Sequence, residues 1–289
     1  MLGQDNVNVI PARAVEEWTR QIAAYVEKYK DNMIARQVLP VRKVADSTAI
    51  DVATEYNRSG PGAIVCAKGT IPDSTIGTMT YTKHDVYQIL AGFDYHERDL
   101  QQDSKLKSRN VDICMRSIHR TEDDFILNGS TTLNVTGITT AVQSANTIAA
   151  GSNHGAWDNS EANDIHADMV DLINLVDTDF EPAWVLGNPT DINKLNNLDS
   201  ERQPYWKTII DLFQGAREKK DFLYKSGHIT AGTIYIGPKD PMAAEIVVAE
   251  NPKVTTLPIQ RGRVYPVELA EWLTVEIHEK DAFAKIATT

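Results

Sequence analysis

The feature that most constrains the fold is a charged stretch, ERDLQQDSKLKSRNVDICMRSIHRTEDDFILNG, which runs from Glu97 to Gly129. Leu100, Val111, Cys114, Met115, Ile118, Glu122 and Phe125 track one side at helical spacing, while Lys105, Lys107, Arg109, Arg116 and Arg120 occupy the rest. A helix over 97–127 would be roughly 45 Å long at about 1.5 Å per residue. Such a helix exceeds the usual globular length. Asn128-Gly129 is a good left-handed stop, and GSTTLNVTGITTAVQSANTIAAGSNHGAW after it reads as a long, weakly apolar loop with little to pack.

Upstream, PARAVEEWTRQIAAYVEKYKDNMIARQVLP places Val15, Trp18, Ile22, Tyr25, Val26 and Tyr29 at three- and four-residue intervals with charges between. This predicts one amphipathic helix with Pro11 in its first turn and Pro40 beyond its end. From Val41 to about Gly92 the pattern changes to short β-rich pieces punctuated by Gly60-Pro61-Gly62, Ile71-Pro72-Asp73 and Gly77. In TMTYTKHDVYQI neither side of the alternation is a clean core face, so a strand there is poorly stable alone.

The remainder alternates in an α/β manner. Ile165, Met169, Leu172, Ile173 and Val176 mark one helical face, with Asn163 or Asp164 as its cap. EPAWVLGN reads as a buried strand, and NPTDINKLNNL as a helix capped by Asn188 with Pro189 at its first position, burying Ile192 and Leu195. YWKTIIDLF predicts a further short helix; TAGTIYIGP and AAEIVVAE predict strands. Leu273, Val275 and Ile277 alternate inward, as in a terminal strand on a half-exposed sheet.

A chain of 289 residues can bury one large core or two ordinary ones. No apolar run approaches the ~20 residues of a membrane span, and MLGQDNVNVI lacks a basic segment followed by an apolar one, so a cytosolic chain with reduced Cys66 and Cys114 is expected. The sequons at Asn57, Asn128 and Asn134 are then chance matches. Forty acids against 29 bases give a net charge of −11, which disfavours a dedicated nucleic-acid reader but suits a container that does not grip its contents.

Motifs for chemistry are missing. His84, His96, His119, His154, His166, His228 and His278 share no spacing suited to one metal, and no zinc-protease, phosphate-loop or nucleophile-elbow motif occurs. No catalytic, cofactor-binding or metal-binding residue is therefore expected, and no cofactor. His119 reads as solvated, and Asp177 and Asp179 as a helix end and turn. Lys68 and Lys83 read as solvated amines rather than as partners in an isopeptide bond.

The order of parts carries a resemblance. An amphipathic arm, a β-rich excursion, one very long helix ending in Ile-Leu-Asn-Gly, a thin loop with Thr136-Gly137-Ile138, and then an α/β section resemble the major capsid protein of tailed double-stranded DNA viruses, a fold shared with encapsulins. PDSTIGTMTYTKHDVYQILAGFDYHERDLQQD is similar to the family's return from the extended loop into its spine helix, RTEDDFILNGS to that helix's end, and AWVLGNPTDINKL to a strand-to-helix passage of its axial domain.

The resemblance implies an α+β capsid fold divided as 1–45 N-terminal arm, 46–92 extended loop and first peripheral strands, 93–140 spine helix, 141–262 α/β axial domain and 263–289 return to the peripheral domain. It implies a structural protein, not an enzyme, that assembles with itself as pentamers and hexamers into an icosahedral shell enclosing double-stranded DNA. Portal, scaffold or decoration proteins are the further partners, no membrane is involved, and the shell is assembled in the host cytoplasm to become a virion. The alternative is an encapsulin compartment holding a cargo enzyme. A third reading, from another class, is an α/β enzyme with a site within 150–260. Residues expected at subunit interfaces are Trp18, Ile22 and Tyr25 on the arm, Tyr81, Lys83 and Tyr87 where the loop crosses a neighbour, and Arg109, Arg116 and Arg120 on the spine helix.

Overall fold

The computed structural model describes residues 12–29, 33–44, 49–55, 80–96, 104–149, 157, 162–198, 201–256 and 264–288. In chain order its elements are α1 (Ala12–Tyr29), α2 (Ile34–Val38), β1 (Val41–Lys43), β2 (Ala49–Glu55), β3 (Thr80–Asp85), β4 (Tyr87–His96) and the long helix α3 (Ser104–Asn128). There follow β5 (Gly129–Ser130), β6 (Val135–Thr136), α4 (Ile138–Ala141), β7 (Thr147–Ile148), α5 (Ala162–Ile173), β8 (Trp184–Gly187), α6 (Pro189–Lys194) and α7 (Trp206–Ile209). The chain closes with α8 (Lys219–Phe222), β9 (Leu223–Lys225), β10 (Thr233–Gly237), β11 (Ala244–Thr256), β12 (Val264–Ile277) and β13 (Ala284–Ala287).

Helix α3 spans 25 residues, about 38 Å. Its stripe is buried as expected: Val111, Cys114, Met115, Ile118 and Glu122 face inward, and Arg109, Arg116 and Arg120 stay exposed. The partner long enough to cover that stripe is a four-stranded sheet in the order β1-β11-β12-β4. Strands β11 and β12 run antiparallel from Ala244↔Ile277 to Thr256↔Val267, and β12 pairs with β4 from Val264↔His96 to Leu273↔Tyr87. Helix α3 packs on β4 and β12, and α1 lies against α3 and β11.

A five-stranded sheet, β7-β13-β10-β8-β9, forms the other half. All four residues of β8 are buried, with α6 and α8 packed on that strand and α5 on β13. Both halves share one continuous apolar core that includes Leu39, Met115, Ile118, Leu186, Ile234, Leu273 and Phe283. The cap on α6 is as predicted: the Thr190 amide donates to the Asn188 side chain at 3.1 Å, and Ile192 and Leu195 are fully buried.

Several expectations are corrected. The predicted N-terminal helix is described as two elements, α1 ending at Tyr29 and α2 running from Ile34 to Val38, with residues 30–32 outside the described residues. The stretch 97–103, expected to be helical, lies outside the described residues, and β4 extends to His96. Asn163 and Asp164 do not cap α5, which already begins at Ala162. The segment after Gly129 is not thinly packed: Ile138, Ala141, Val142 and Trp157 are buried, with the Trp157 indole donating to Asp168 at 3.0 Å. Strand β12 is neither terminal nor half-exposed, since Glu271, Thr274 and Glu276 are buried along with Leu273 and Val275. The residues 263–289 divide: β12 joins the first sheet and β13 the second.

The turn after α3 depends on two glycines. Gly129 sits at φ +72°, where side chains are strained, and a Cβ on Gly137 would fall 2.2 Å from the Gly129 nitrogen. Gly137→Ala is expected to lower stability by about 1–3 kcal/mol through overpacking at this crossing, read as a lower urea midpoint with an unchanged slope.

Candidate functional site

The expected interface residues are not gathered in one place. The Ile22 and Tyr25 side chains are buried in their own chain, where α1 meets α3, and the Tyr25 ring lies 5.5 Å from the His119 ring. Trp18 belongs to α1, and Tyr81 and Lys83 to β3, where their backbones face Ala53 and Asp51 of β2; their side chains lie outside the described residues. The Tyr87 hydroxyl donates to the Leu133 carbonyl at 2.9 Å, and its ring meets Phe125 edge-on. Sequence periodicity missed two exposed apolar side chains, Ile113 at 54% and Leu90 at 51% exposure, which sit outside the buried stripes of α3 and β4. Cys66 and Lys68 lie outside the described residues; Cys114 is a buried free thiol.

Charge inside the core is the site that sequence reasoning did not assemble. Arg36 of α2 reaches between α3 and β12, donating from Nε to Glu122 at 2.5 Å and from Nη2 to Glu271. Both glutamates are fully buried. The next residue of α3, Asp123, accepts the Ala35 amide at 3.0 Å, which satisfies one of the open donors at the start of α2. The one signal in the sequence was Glu122 itself, an acid at a stripe position between Ile118 and Phe125.

Two carboxyls share one guanidinium here, and the second oxygen of each lacks a hydrogen-bond donor. A proton on either carboxyl would supply a donor there. Burial, and then the charge of Glu271, push the Glu122 carboxyl up to about 8, and burial raises Glu271 as well. Burial also pushes Asp123 up to about 6. His119 is not solvated as expected: burial and the Arg36 charge push it down to about 4, and its Nε2 is buried without a hydrogen-bond partner. On the far end of β12, burial pushes Glu276 up to about 7, beside a 400 Å³ recess that it lines with Tyr87 and Lys280. Among the described residues no group of His, Cys, Asp and Glu has the geometry to hold a metal ion, and no helix is long and apolar enough to cross a membrane.

The signs of these shifts define a pH profile. A buried carboxyl that resists ionisation binds more protons folded than unfolded, so its stabilisation is complete below its ordinary value and is lost as pH rises through its folded value. For Asp123, Glu276 and Glu122 that loss extends to about 6, 7 and 8. His119 has the opposite sign and adds no slope above its ordinary value of 6.5. The melting temperature is therefore expected to fall between about pH 6.5 and pH 8. Glu122→Gln keeps the shape and needs no proton, so it should melt above the parent at the alkaline end and show a shallower slope. Arg36→Met leaves two acids facing each other in the core and should cost about 3–5 kcal/mol, measured by urea unfolding in the same buffers.

By sequence, no family model and no curated protein matches the chain. By structure, it is similar to the virus-like particle from Pyrococcus furiosus, with 12% identity and a TM-score of 0.66 over 96% of this chain and 100% of that one. It is similar to the capsid of the native GTA particle, with 14% identity and a TM-score of 0.65 over 88% of this chain and 89% of that one. The holo-SrpI encapsulin complex from Synechococcus elongatus PCC 7942 aligns with 100% of this chain and 92% of its own at 13% identity and a TM-score of 0.57. The chain has the fold of phage major capsid proteins and encapsulins.

Proposed function

We propose that this chain is the repeating subunit of a closed icosahedral shell that encloses double-stranded DNA, the role of a major capsid protein in a virion. The observation that carries this reading is the end-to-end structural likeness to a virus-like particle, over 96% of this chain and 100% of the other. The chain's own physics supports it. Among the described residues, strands β2 and β3 pair only with each other, and such a two-stranded sheet is marginal in water unless it packs on something else. Copies of the same chain around closed symmetry would provide that cover. Exposed Ile113 and Leu90 add apolar area suited to the same contacts. The net charge of −11 lets a polyanion be enclosed without tight adhesion.

Pentamers and hexamers would be the assembly units, with portal, scaffold or decoration proteins as further partners and the host cytoplasm as the place of assembly. A second reading, an encapsulin compartment holding a cargo enzyme, is favoured by the alignment that takes in 100% of this chain. The two readings share the shell and differ in its contents.

The chain expressed alone is expected to elute as particles tens of nanometres across, seen by light scattering and negative stain. An absorbance ratio typical of nucleic acid supports the capsid; a protein ratio with a co-purifying enzyme supports the compartment. A persistent monomer of 32.1 kDa, with scaffold protein co-expressed, would overturn both. Trp18→Asp and the pair Tyr81→Ala and Lys83→Glu should block assembly while the monomer's melting temperature stays near that of the parent. Normal particles from either variant would remove those residues from the interface.

A further inference from the structure

The five-stranded sheet ends on β9, which among the described residues is paired on one side only, to β8 through Val185↔Leu223 and Gly187↔Lys225. Such an edge presents main-chain donors and acceptors to whatever lies beside it. Beside this one runs a groove of about 700 Å³ whose apolar lining is Ile34 of α2, Trp206 of α7, and Leu223 and Tyr224 of β9 itself. That volume lies within the range of binding sites for small or extended ligands.

The charges around the groove are unbalanced. Lys219 donates to the Asn196 side-chain oxygen, and Lys225 to that of Asn193 at 2.5 Å, so both ammonium groups are held by neutral amides. Lys219 is held below the ordinary lysine range by burial and by the neighbouring Lys225 charge. Glu218, the one acid among the lining residues, is bound to Lys220 at 3.0 Å. Two like charges are thus kept together at a half-covered surface, a repulsion that an incoming anion relieves.

We infer that this groove takes a short, extended, acidic segment of a partner protein, which adds to the open edge of β9, sets its carboxylates on Lys219 and Lys225, and buries an apolar side chain against Trp206 and Leu223. Strand addition draws affinity from the main chain and specificity from alternate side chains, and the apolar floor and the lysine pair answer those two requirements. Nucleic acid fits less well. A phosphate backbone does not match a strand edge, and the chain's net charge of −11 repels a polyanion at long range far more than a segment with a few carboxylates. The inference does not depend on what the shell encloses.

The test uses the full chain and a fluorescein-labelled peptide of alternating Glu and Val with one Phe, followed by anisotropy. Comparators are the same peptide with Lys for Glu, the same peptide with alternate Val replaced by Pro, and a short DNA duplex. The acidic peptide is expected to bind, the Lys and Pro versions to fail, and K219E with K225E to weaken binding about tenfold or more, with the melting temperature of the variant measured alongside to establish that it is folded. Trp206→Ala should weaken it without reversing the preference for acid. Equal binding of acidic and basic peptides, or full binding by the folded K219E and K225E variant, overturns the inference. So does a duplex that binds through the same lysines where the peptide does not. Light scattering decides the remaining case: a fall in particle mass on K219E and K225E with no peptide binding by the parent would assign the groove to a second copy and overturn the partner segment.

Discussion

A guanidinium placed between two fully buried carboxyls is the contact on which the rest of this structure depends. Arg36 lies 86 residues from Glu122 and 235 from Glu271, so one side chain joins the segment after the first helix, the long helix and a central strand of the sheet. Breaking any one contact leaves a charge in the core without compensation, which is far more costly than losing an apolar contact of the same size. Position follows from that penalty: α2 can sit in one place on α3, and Asp123 fixes it there by accepting the Ala35 amide. Burial raises both acids, so desolvation offsets much of the attraction within the cluster, and what the cluster adds is a fixed arrangement of the three segments it joins.

The second half is joined by analogous, less charged ties. Asp191 at the start of α6 accepts from the Gly232 amide at 2.7 Å and from the Thr288 hydroxyl at 2.9 Å, tying that helix to the start of β10 and to the end of the chain. The Trp184 indole donates to the Pro238 carbonyl at 2.9 Å, and a Cβ on Gly237 would lie 2.6 Å from Trp184 and Phe283, so the strand accepts only glycine there. Between the halves, Asn128 at the end of α3 donates to the His228 carbonyl at 3.1 Å. The C-terminal part of the long helix is therefore held three times, by Arg36 at Glu122, by the Ala35 amide at Asp123 and by the 228 loop at its stop.

Much of this fold was legible because local rules and tertiary needs agree. The stripe of α3, its stop at Asn128-Gly129, the Asn188 cap and the buried β8 all appear as read, since each depends on spacing or on a turn residue within a few positions. Where the reading failed, burial from a distant segment was the cause. Thr274 and Glu276 looked like an outward face, yet β12 is the inner strand between β11 and β4 and is covered on both sides. His119 looked solvated by its charged neighbours, and Tyr25 of α1 covers it. The loop after Gly137 looked bare, and its few apolar residues turn out to be core.

Periodicity, capping and glycine placement are properties of short stretches, and the chain determined them alone: a long helix with one apolar side, a sharp stop, an α/β second half, and an order of parts that resembles a shell subunit. Tertiary structure decided which acid in a stripe would be buried, which arginine would meet it, which strand would be left as an edge, and which lysines would be forced together beside it. Those outcomes depend on the desolvation of groups far apart in sequence, and desolvation is set by what covers a residue rather than by the residues next to it.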